Sequence, residues 1–260
     1  MLRGLWTAAS GMAAQQMNVD VVANNLANVN TTGFKKSRAD FQDLMYETLR
    51  LPGATTSTGT QLPTGIQVGM GCKPMGVAKM FSQGDYNQTG NELDLAIEGK
   101  GFFKLLSNDE EVYTRAGNFK IDSEGYVCNP AGERLQPEIT IPAATVSITI
   151  DTNGRLTAFG AGNEELSTTD LKLYTFTNPA GLYSIGRNLY RPTEASGEAT
   201  EGSPGTDGVG TISQGYLEMS NVDVVAEMVT MITAQRAYEI NSKAIQTADQ
   251  MLQMANNIKR

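Results

Sequence analysis

From Ser220 to Arg260 the chain contains neither glycine nor proline, and that uninterrupted stretch constrains the fold more than any other feature. About 40 helical residues rising 1.5 Å each form a rod of roughly 60 Å. A helix of that length is far beyond the usual dozen residues and suits a fibrous role. Ser220 and Asp223 have the spacing of a capping box at its start. Its stripe runs through Val224, Met228, Met231, Gln235, Tyr238, Asn241, Ile245, Ala248, Leu252 and Ala255. The spacing slips once, between Tyr238 and Ile245, so a perfect coiled coil is not implied.

The other end has the same character. From Leu2 to about Val29 proline is absent, and Leu2, Leu5, Ala9, Met12, Gln16, Val19, Ala23 and Leu26 follow a narrow heptad seam. Gly4 and Gly11 weaken this helix by about 1 kcal/mol each relative to alanine, so it needs a partner to stay folded. The hexapeptide Asn18-Val19-Asp20-Val21-Val22-Ala23 recurs as Asn221 to Ala226, which coincidence among small helix-compatible residues also explains. Pairing the two terminal helices is the simplest way to hide both seams.

Between the ends the pattern changes to period two. Leu93, Leu95 and Ile97 alternate with Asp94, Ala96 and Glu98, as do Val146, Ile148 and Ile150 with Ser147 and Thr149. Turn signals recur at Gly99-Lys100-Gly101, Ser123-Glu124-Gly125, Asn129-Pro130, Asn153-Gly154 and Asn178-Pro179. The residues around Asn153-Gly154 predict a hairpin. The expected fold is therefore α+β. Residues 1–33 give the N-terminal helix, 34–74 an extended linker, 75–216 a mostly antiparallel β domain, and 217–260 a C-terminal helix pairing with the first in a coiled-coil-like domain. Pro52 to Gly71, rich in Thr, Gly and Ser, reads as a flexible tether or as an arm ordered by a neighbour. The Gly-rich stretch from Thr193 to Gly210 reads as a loop.

Composition narrows the chemistry. The net charge of −8 offers no basic stripe for nucleic acid. The lone basic cluster, Lys35-Lys36-Ser37-Arg38, reads as a solvated turn after the helix. No apolar run approaches the roughly 20 residues of a membrane span, so direct membrane insertion is not expected. An N-terminal region with Arg3 as its only early charge and no apolar core does not read as a cleaved secretory signal. Histidine is absent, which removes imidazole acid–base catalysis, Ser-His-Asp triads and histidine-bound zinc. Cys72 and Cys128 have neither metal-knuckle nor CxxC spacing and read as small buried residues. Gly99-Lys100-Gly101-Phe102-Phe103 lacks a Walker ending and reads as a tight turn between strands. Asp151-Thr152-Asn153-Gly154 lacks the later ligands of a calcium loop. Asp94 with Glu98, on one strand face, is a weak acid–base pair. No cofactor, metal or catalytic residue is expected, and the chain reads as a structural subunit and not an enzyme.

Particular motifs sharpen this reading. Asn24-Asn25-Leu26-Ala27-Asn28, followed by Gly33-Phe34-Lys35, resembles the signature shared by flagellar rod and hook axial proteins. Gln235 to Ala244 resembles that family's C-terminal helix, and Ile97 to Phe103 with Tyr113 to Gly117 resemble its β domain. Within the family, the segment Tyr46 to Pro63, including Leu51, Pro52, Leu62 and Pro63, looks like an inter-subunit arm of the distal-rod type. The resemblance implies a subunit exported by the flagellar type III apparatus that polymerises helically with copies of itself. Its implied neighbours are proximal-rod subunits, hook or hook-junction subunits, and the surrounding periplasmic and outer-membrane ring proteins. The expected assembly residues are Leu5, Met12, Val19 and Leu26 on the first helix and Met228, Ile232, Tyr238, Ile245 and Leu252 on the second. The alternatives are a proximal-rod or hook subunit or, from another class, a secreted β-domain adhesin or carbohydrate-binding module; a carboxylate-based hydrolase comes third.

Overall fold

The computed structural model describes residues 2–53, 63–107, 109–206 and 208–258. The chain divides into two compact units, each built from segments distant in sequence. Both terminal helices and residues 37–78 form the first; residues 27–36 and 79–222 form the second.

In the first unit, helix α1 spans Leu2–Ala27. It is followed by strands β1 (Ser37–Asp43), β2 (Tyr46–Arg50), β3 (Ile66–Gly69) and β4 (Cys72–Lys79). Strand β1 pairs with β4, and β2 pairs antiparallel with β3 inside that pair. Residues 37–79 are thus a two-tier hairpin, where an extended linker was expected. The ladder is carried by ordinary strand formers such as Tyr46, Thr48, Ile66 and Val68, whereas the Thr-, Gly- and Ser-rich residues 54–62 that suggested a linker lie outside the described residues. Gly69 lacks a side chain to pack, and the Tyr46 ring covers it, with its nearest atom 3.3 Å from where a Cβ would stand.

The second helix of this unit runs from Val224 to Ile258, 35 residues or about 52 Å. Its start is three residues later than the capping-box reading. Asp223 is the N-cap: its Oδ1 accepts from the amides of Val225 (2.9 Å) and Ala226 (3.2 Å). Ser220 lies outside the helix, and its buried hydroxyl finds no hydrogen-bond partner among the described residues. This difference also separates the two copies of the repeated hexapeptide. Asn18 to Ala23 is helical throughout, whereas Asn221 to Asp223 precedes the helix. Six shared residues therefore adopt two conformations, as coincidence predicts and duplication does not.

The second unit holds sixteen short strands: β5 (Tyr86–Gln88), β6 (Leu95–Glu98), β7 (Phe103–Ser107), β8 (Glu110–Thr114), β9 (Lys120–Ile121), β10 (Val127–Cys128), β11 (Arg134–Gln136), β12 (Thr145–Ile150), β13 (Arg155–Gly160), β14 (Glu165–Asp170), β15 (Leu173–Thr175), β16 (Tyr183–Gly186), β17 (Leu189–Arg191), β18 (Thr200–Gly202), β19 (Thr211–Gln214) and β20 (Tyr216–Glu218). Seven of them form one antiparallel sheet in the order β16-β17-β8-β7-β11-β10-β9. A three-stranded sheet, β12-β13-β14, and the pairs β15-β18, β19-β6 and β20-β5 complete the unit. The central region is mostly antiparallel β, as expected. It extends beyond the anticipated end at 216, to residue 222, and the supposed loop 193–210 contributes β18.

The hairpin at Asn153-Gly154 forms with Ile150 opposite Leu156. Val146 departs from the expected alternation: the β12 register shifts between Thr145 and Ser147, and Val146 is 69% exposed in that bulge. Leu95, Ile97, Phe103, Leu105, Leu135, Leu156, Leu173 and Ile212 fill one continuous core. Beside it, Phe102, Tyr113, Tyr174, Phe176 and Tyr190 form an aromatic cluster with edge-on contacts, the tightest being Tyr113–Phe176 at 4.9 Å. The core lies almost wholly in this unit; only Ala8, Ala14, Val22 and Ala234 of the buried apolar residues belong to the first.

Candidate assembly surface

The helices of the first unit meet through small and polar side chains. On α1, Ala8, Ala14, Val22 and Asn25 are buried and Gly11, Gln15 and Asn18 among them half-buried, so burial centres on a heptad line one residue out of step with the expected one. Val22 and Asn25 are almost inaccessible, at 3% and 1%. The residues expected to be central, Leu5, Met12, Val19 and Leu26, are half-buried along its flank, and their seam-mates Ala9, Gln16 and Ala23 are exposed. A shift of one residue turns a helix by about 100°, so a different face is turned inward.

The second helix, α2 (Val224–Ile258), covers Met231, Ala234, Asn241, Ile245 and Ala248. Of the five residues expected on it, Ile245 is half-buried; Met228, Ile232, Tyr238 and Leu252 are exposed, with Ile232 at 55%. Two contacts tie the helices together. Asn25 Nδ2 donates to Glu227 Oε2 at 3.2 Å, and a Cβ at Gly11 would stand 2.9 Å from Asn241 Nδ2. The contacts are about four turns apart on each helix and run in opposite directions, so the pair is antiparallel.

Asn25 explains why the motif needs an amide. Its Oδ1 accepts from the Ser37 amide at 2.9 Å while its Nδ2 donates to the Ser37 carbonyl at 2.8 Å. One side chain thereby caps the start of β1 and reaches α2 as well. Asn28 Oδ1 accepts from the Thr31 hydroxyl at 3.2 Å. Ala27 is exposed.

The rest of the motif belongs to the second unit. Gly33 has φ +69°, and a Cβ there would lie 2.6 Å from the Ala116 backbone nitrogen, so only glycine fits. Phe34 is buried beneath the Lys79 ammonium, 5.1 Å from its ring centre. Lys35 overturns the reading of a solvated basic turn. It is 1% exposed, and its Nζ donates to Glu218 Oε1 at 2.6 Å and to the Ser82 carbonyl at 2.7 Å. Glu218 also accepts from Arg115 Nε at 2.7 Å and from the Gly84 amide at 3.0 Å. Arg115 uses its remaining N–H groups on Gln83 Oε1 and the carbonyls of Ile97, Gly99 and Gly101. Burial pushes the Lys35 ammonium below its usual range; Glu218 opposes that shift, and Arg115 adds to it. The sequence contained Arg115 and Lys35 within motifs but carried no sign of Glu218, because acids on short strands are ordinarily solvated.

Apart from half-buried Glu47, the expected arm is exposed wherever it is described. Tyr46 (55%) and Leu51 (66%) stand out from the hairpin, Pro52 and Pro63 are exposed beyond it, and Leu62 lies outside the described residues. Arg3 of α1 pairs with Glu47 of β2 at 2.6 Å. Met45, Leu49, Met70 and Met75 are exposed in the same segment, as are Trp6 on α1 and Val225, Val229, Ile240 and Met254 on α2. So many large apolar side chains exposed on the helices and strands of one unit suit a contact with another chain.

Both cysteines are free thiols, Cys128 buried and Cys72 half-buried. Gly99 and Gly101, with φ +105° and +149°, form the turn between β6 and β7. Among the described residues no cluster of acidic or thiol side chains has the makings of a metal site, and no helix is long and apolar enough to cross a membrane.

A closed β core joined to a helical unit that leaves its apolar side chains uncovered defines a structural assembly protein. Comparison with known proteins agrees. Residues 5–35 match the profile of the "Flagella basal body rod protein", 96–158 the "Flagellar hook protein FlgE/F/G D1 domain" and 213–258 the "Flagellar basal body rod FlgEFG protein C-terminal". The flagellar basal-body rod protein FlgG of Borreliella burgdorferi is 50% identical, with all of both chains aligned. That of Caulobacter vibrioides is 48% identical over 99% of this chain and its own full length, and that of Bacillus subtilis 39% over both full lengths. The chain belongs to the flagellar rod and hook protein family, as a structural subunit of the basal-body rod and not an enzyme.

Proposed function

We propose that the protein is the subunit of the distal rod, polymerising helically with copies of itself into a drive shaft that carries torque from motor to hook. The reading rests on the exposed apolar residues Trp6 of α1, Met228, Val229, Ile232 and Ile240 of α2 and Met45, Leu49 and Met75 of the segment between them, while the β unit has a core of its own. Repeated heterologous contacts of that kind generate an open filament when their rotation does not close. In this reading Leu5, Met12, Val19, Leu26, Met228, Ile232, Tyr238, Ile245 and Leu252 form the tube of helices in coiled-coil-like packing. The arm carrying Tyr46, Leu51, Pro52, Leu62 and Pro63 bridges neighbours and stiffens the shaft. The ends of the filament meet proximal-rod subunits and hook or hook-junction subunits, with ring proteins around it and the export apparatus delivering each copy.

The test is charge placement. Ile232→Glu and Met228→Asp, both on exposed positions, should abolish filament formation at high protein concentration, read by sedimentation and electron microscopy. Circular dichroism and calorimetry should show the β unit unchanged. Filaments formed normally by both variants would remove the outward face of α2 from the assembly contact.

A further inference from the structure

The inward faces of the two helices are the less apolar ones. The covered side of α1 carries Ala8, Gly11, Gln15, Asn18, Val22 and Asn25 and that of α2 Met231, Ala234, Asn241, Ile245 and Ala248, while the large side chains Trp6, Met228, Val229, Ile232 and Ile240 are exposed. An isolated amphipathic pair is expected to do the opposite, since burying its largest apolar side chains is the main source of helix-pair stability. Something in the seam must select the face and the alignment. Small apolar seams do neither, because Ala8, Ala14, Ala234 and Ala248 offer nearly equivalent packing after a slide of one heptad.

We infer that Asn25–Glu227 and Gly11–Asn241 are a register and face lock, holding the subunit's helices in one antiparallel alignment with the large apolar faces outward. Both contacts are specific in distance. Asn25 is 1% exposed and anchored on the Ser37 backbone by two bonds, so its amide is fixed in space and Glu227 must come to it. Gly11 leaves room for the Asn241 side chain, whose amide nitrogen would lie 2.9 Å from a Cβ there and would have to turn aside. The spacing shared by the two contacts places Asn18 opposite Ala234, a residue 2% exposed. A slide by one heptad would move α2 about 10 Å along α1 and break both contacts together. A rotation that buried Leu5, Met12, Val19 and Leu26 would leave the Asn25 amide and the Glu227 carboxylate without each other. Polar groups at seam positions are known to fix register and partner state in paired helices at some expense of stability. Here the same device would keep the assembly faces unoccupied until a neighbour arrives. The inference goes beyond the distal-rod reading: it concerns alignment within a single chain and is measured below the concentration of assembly, so either can fail without the other.

The experiment places spin labels at Ala13→Cys and Gln250→Cys, both exposed, in a Cys72→Ser, Cys128→Ala background. The inter-label distance is read by double electron–electron resonance on dilute full-length chain. The native seam should give one narrow distance. Glu227→Leu with Asn241→Leu should add a second population displaced by about 10 Å, the rise of one heptad; Glu227→Gln, which still accepts from Asn25, should not. A single unshifted distance in the double-leucine variant would overturn the inference, placing the register in the hairpin contact Arg3–Glu47 or in the chain connections. Should that variant lose helicity, Gly11→Ala decides. It should shift or broaden the distance, and adding Asn241→Ala should restore it; an unchanged Gly11→Ala distance refutes the lock.

Discussion

Gly33→Ala isolates what the motif glycine contributes. Its φ of +69° is strained for any residue bearing a Cβ, at about 1–2 kcal/mol. The new methyl carbon would also stand 2.6 Å from Ala116 N, 2.8 Å from Ala116 Cα and 2.9 Å from Arg115 C, all backbone atoms unable to rotate away. Forcing such an overlap apart costs a further 1–3 kcal/mol or so. The sum, roughly 2–5 kcal/mol, corresponds to a fall of about 10 °C in the melting temperature of a unit near 150 residues. Gly90→Ala is the matched control, because Gly90 has φ +71° and nothing within 4 Å of its would-be Cβ. It should show the conformational part alone, about 1–2 kcal/mol. Scanning calorimetry and urea unfolding of the full chain, following the β unit, measure both. Equal losses in the two variants would refute the steric argument, since the backbone at Ala116 would then be free to move aside.

Two further outcomes follow from the buried groups. Glu218→Gln keeps the shape of the side chain but leaves Lys35 and Arg115 buried without a counter-charge, and should destabilise the β unit by about 3–5 kcal/mol in urea unfolding; a loss under 1 kcal/mol would mean that the carbonyl partners satisfy both cations alone. In alkali, burial first and then nearby carboxylates hold Tyr113, Tyr174 and Tyr190 above the usual phenol value of 10, Tyr174 at about 12. The unfolded chain releases those protons sooner, so their contribution to stability is complete below pH 10 and is lost as the pH rises towards 12 and beyond. Lys35 and Lys79 act in the opposite sense, their lowered pKa values making stability rise with pH up to about 10.5. Absorbance at 295 nm should show tyrosinate formation by these three residues only as the fold is lost. Their titration near pH 10 in folded protein would contradict the packing of the aromatic cluster.

The elements that local chemistry dictates were legible in the sequence. Absence of glycine and proline marked the long helix, and the Asn153-Gly154 turn marked its hairpin. The strand pairing within residues 37–79 was obscured because the stretch between the strands has linker composition and partners such as Tyr46 and Gly69 are more than twenty residues apart in sequence. The charge cluster was hidden for a deeper reason. Lys35, Arg115 and Glu218 are spread over more than 180 positions, and nothing in the sequence around Glu218 separates a buried acid from a solvated one.

The sequence by itself determined that the ends are helices, that the middle is antiparallel β, and that apolar residues recur on the helices at heptad spacing. Those properties follow from backbone preference and side-chain period, which act over a few residues. The tertiary structure decided which helix face turns inward. Periodicity identifies a face fit for burial but not the partner that buries it. Here the inward contact is set by Asn25, Glu227, Gly11 and Asn241, whose distances exist only once the chain has folded.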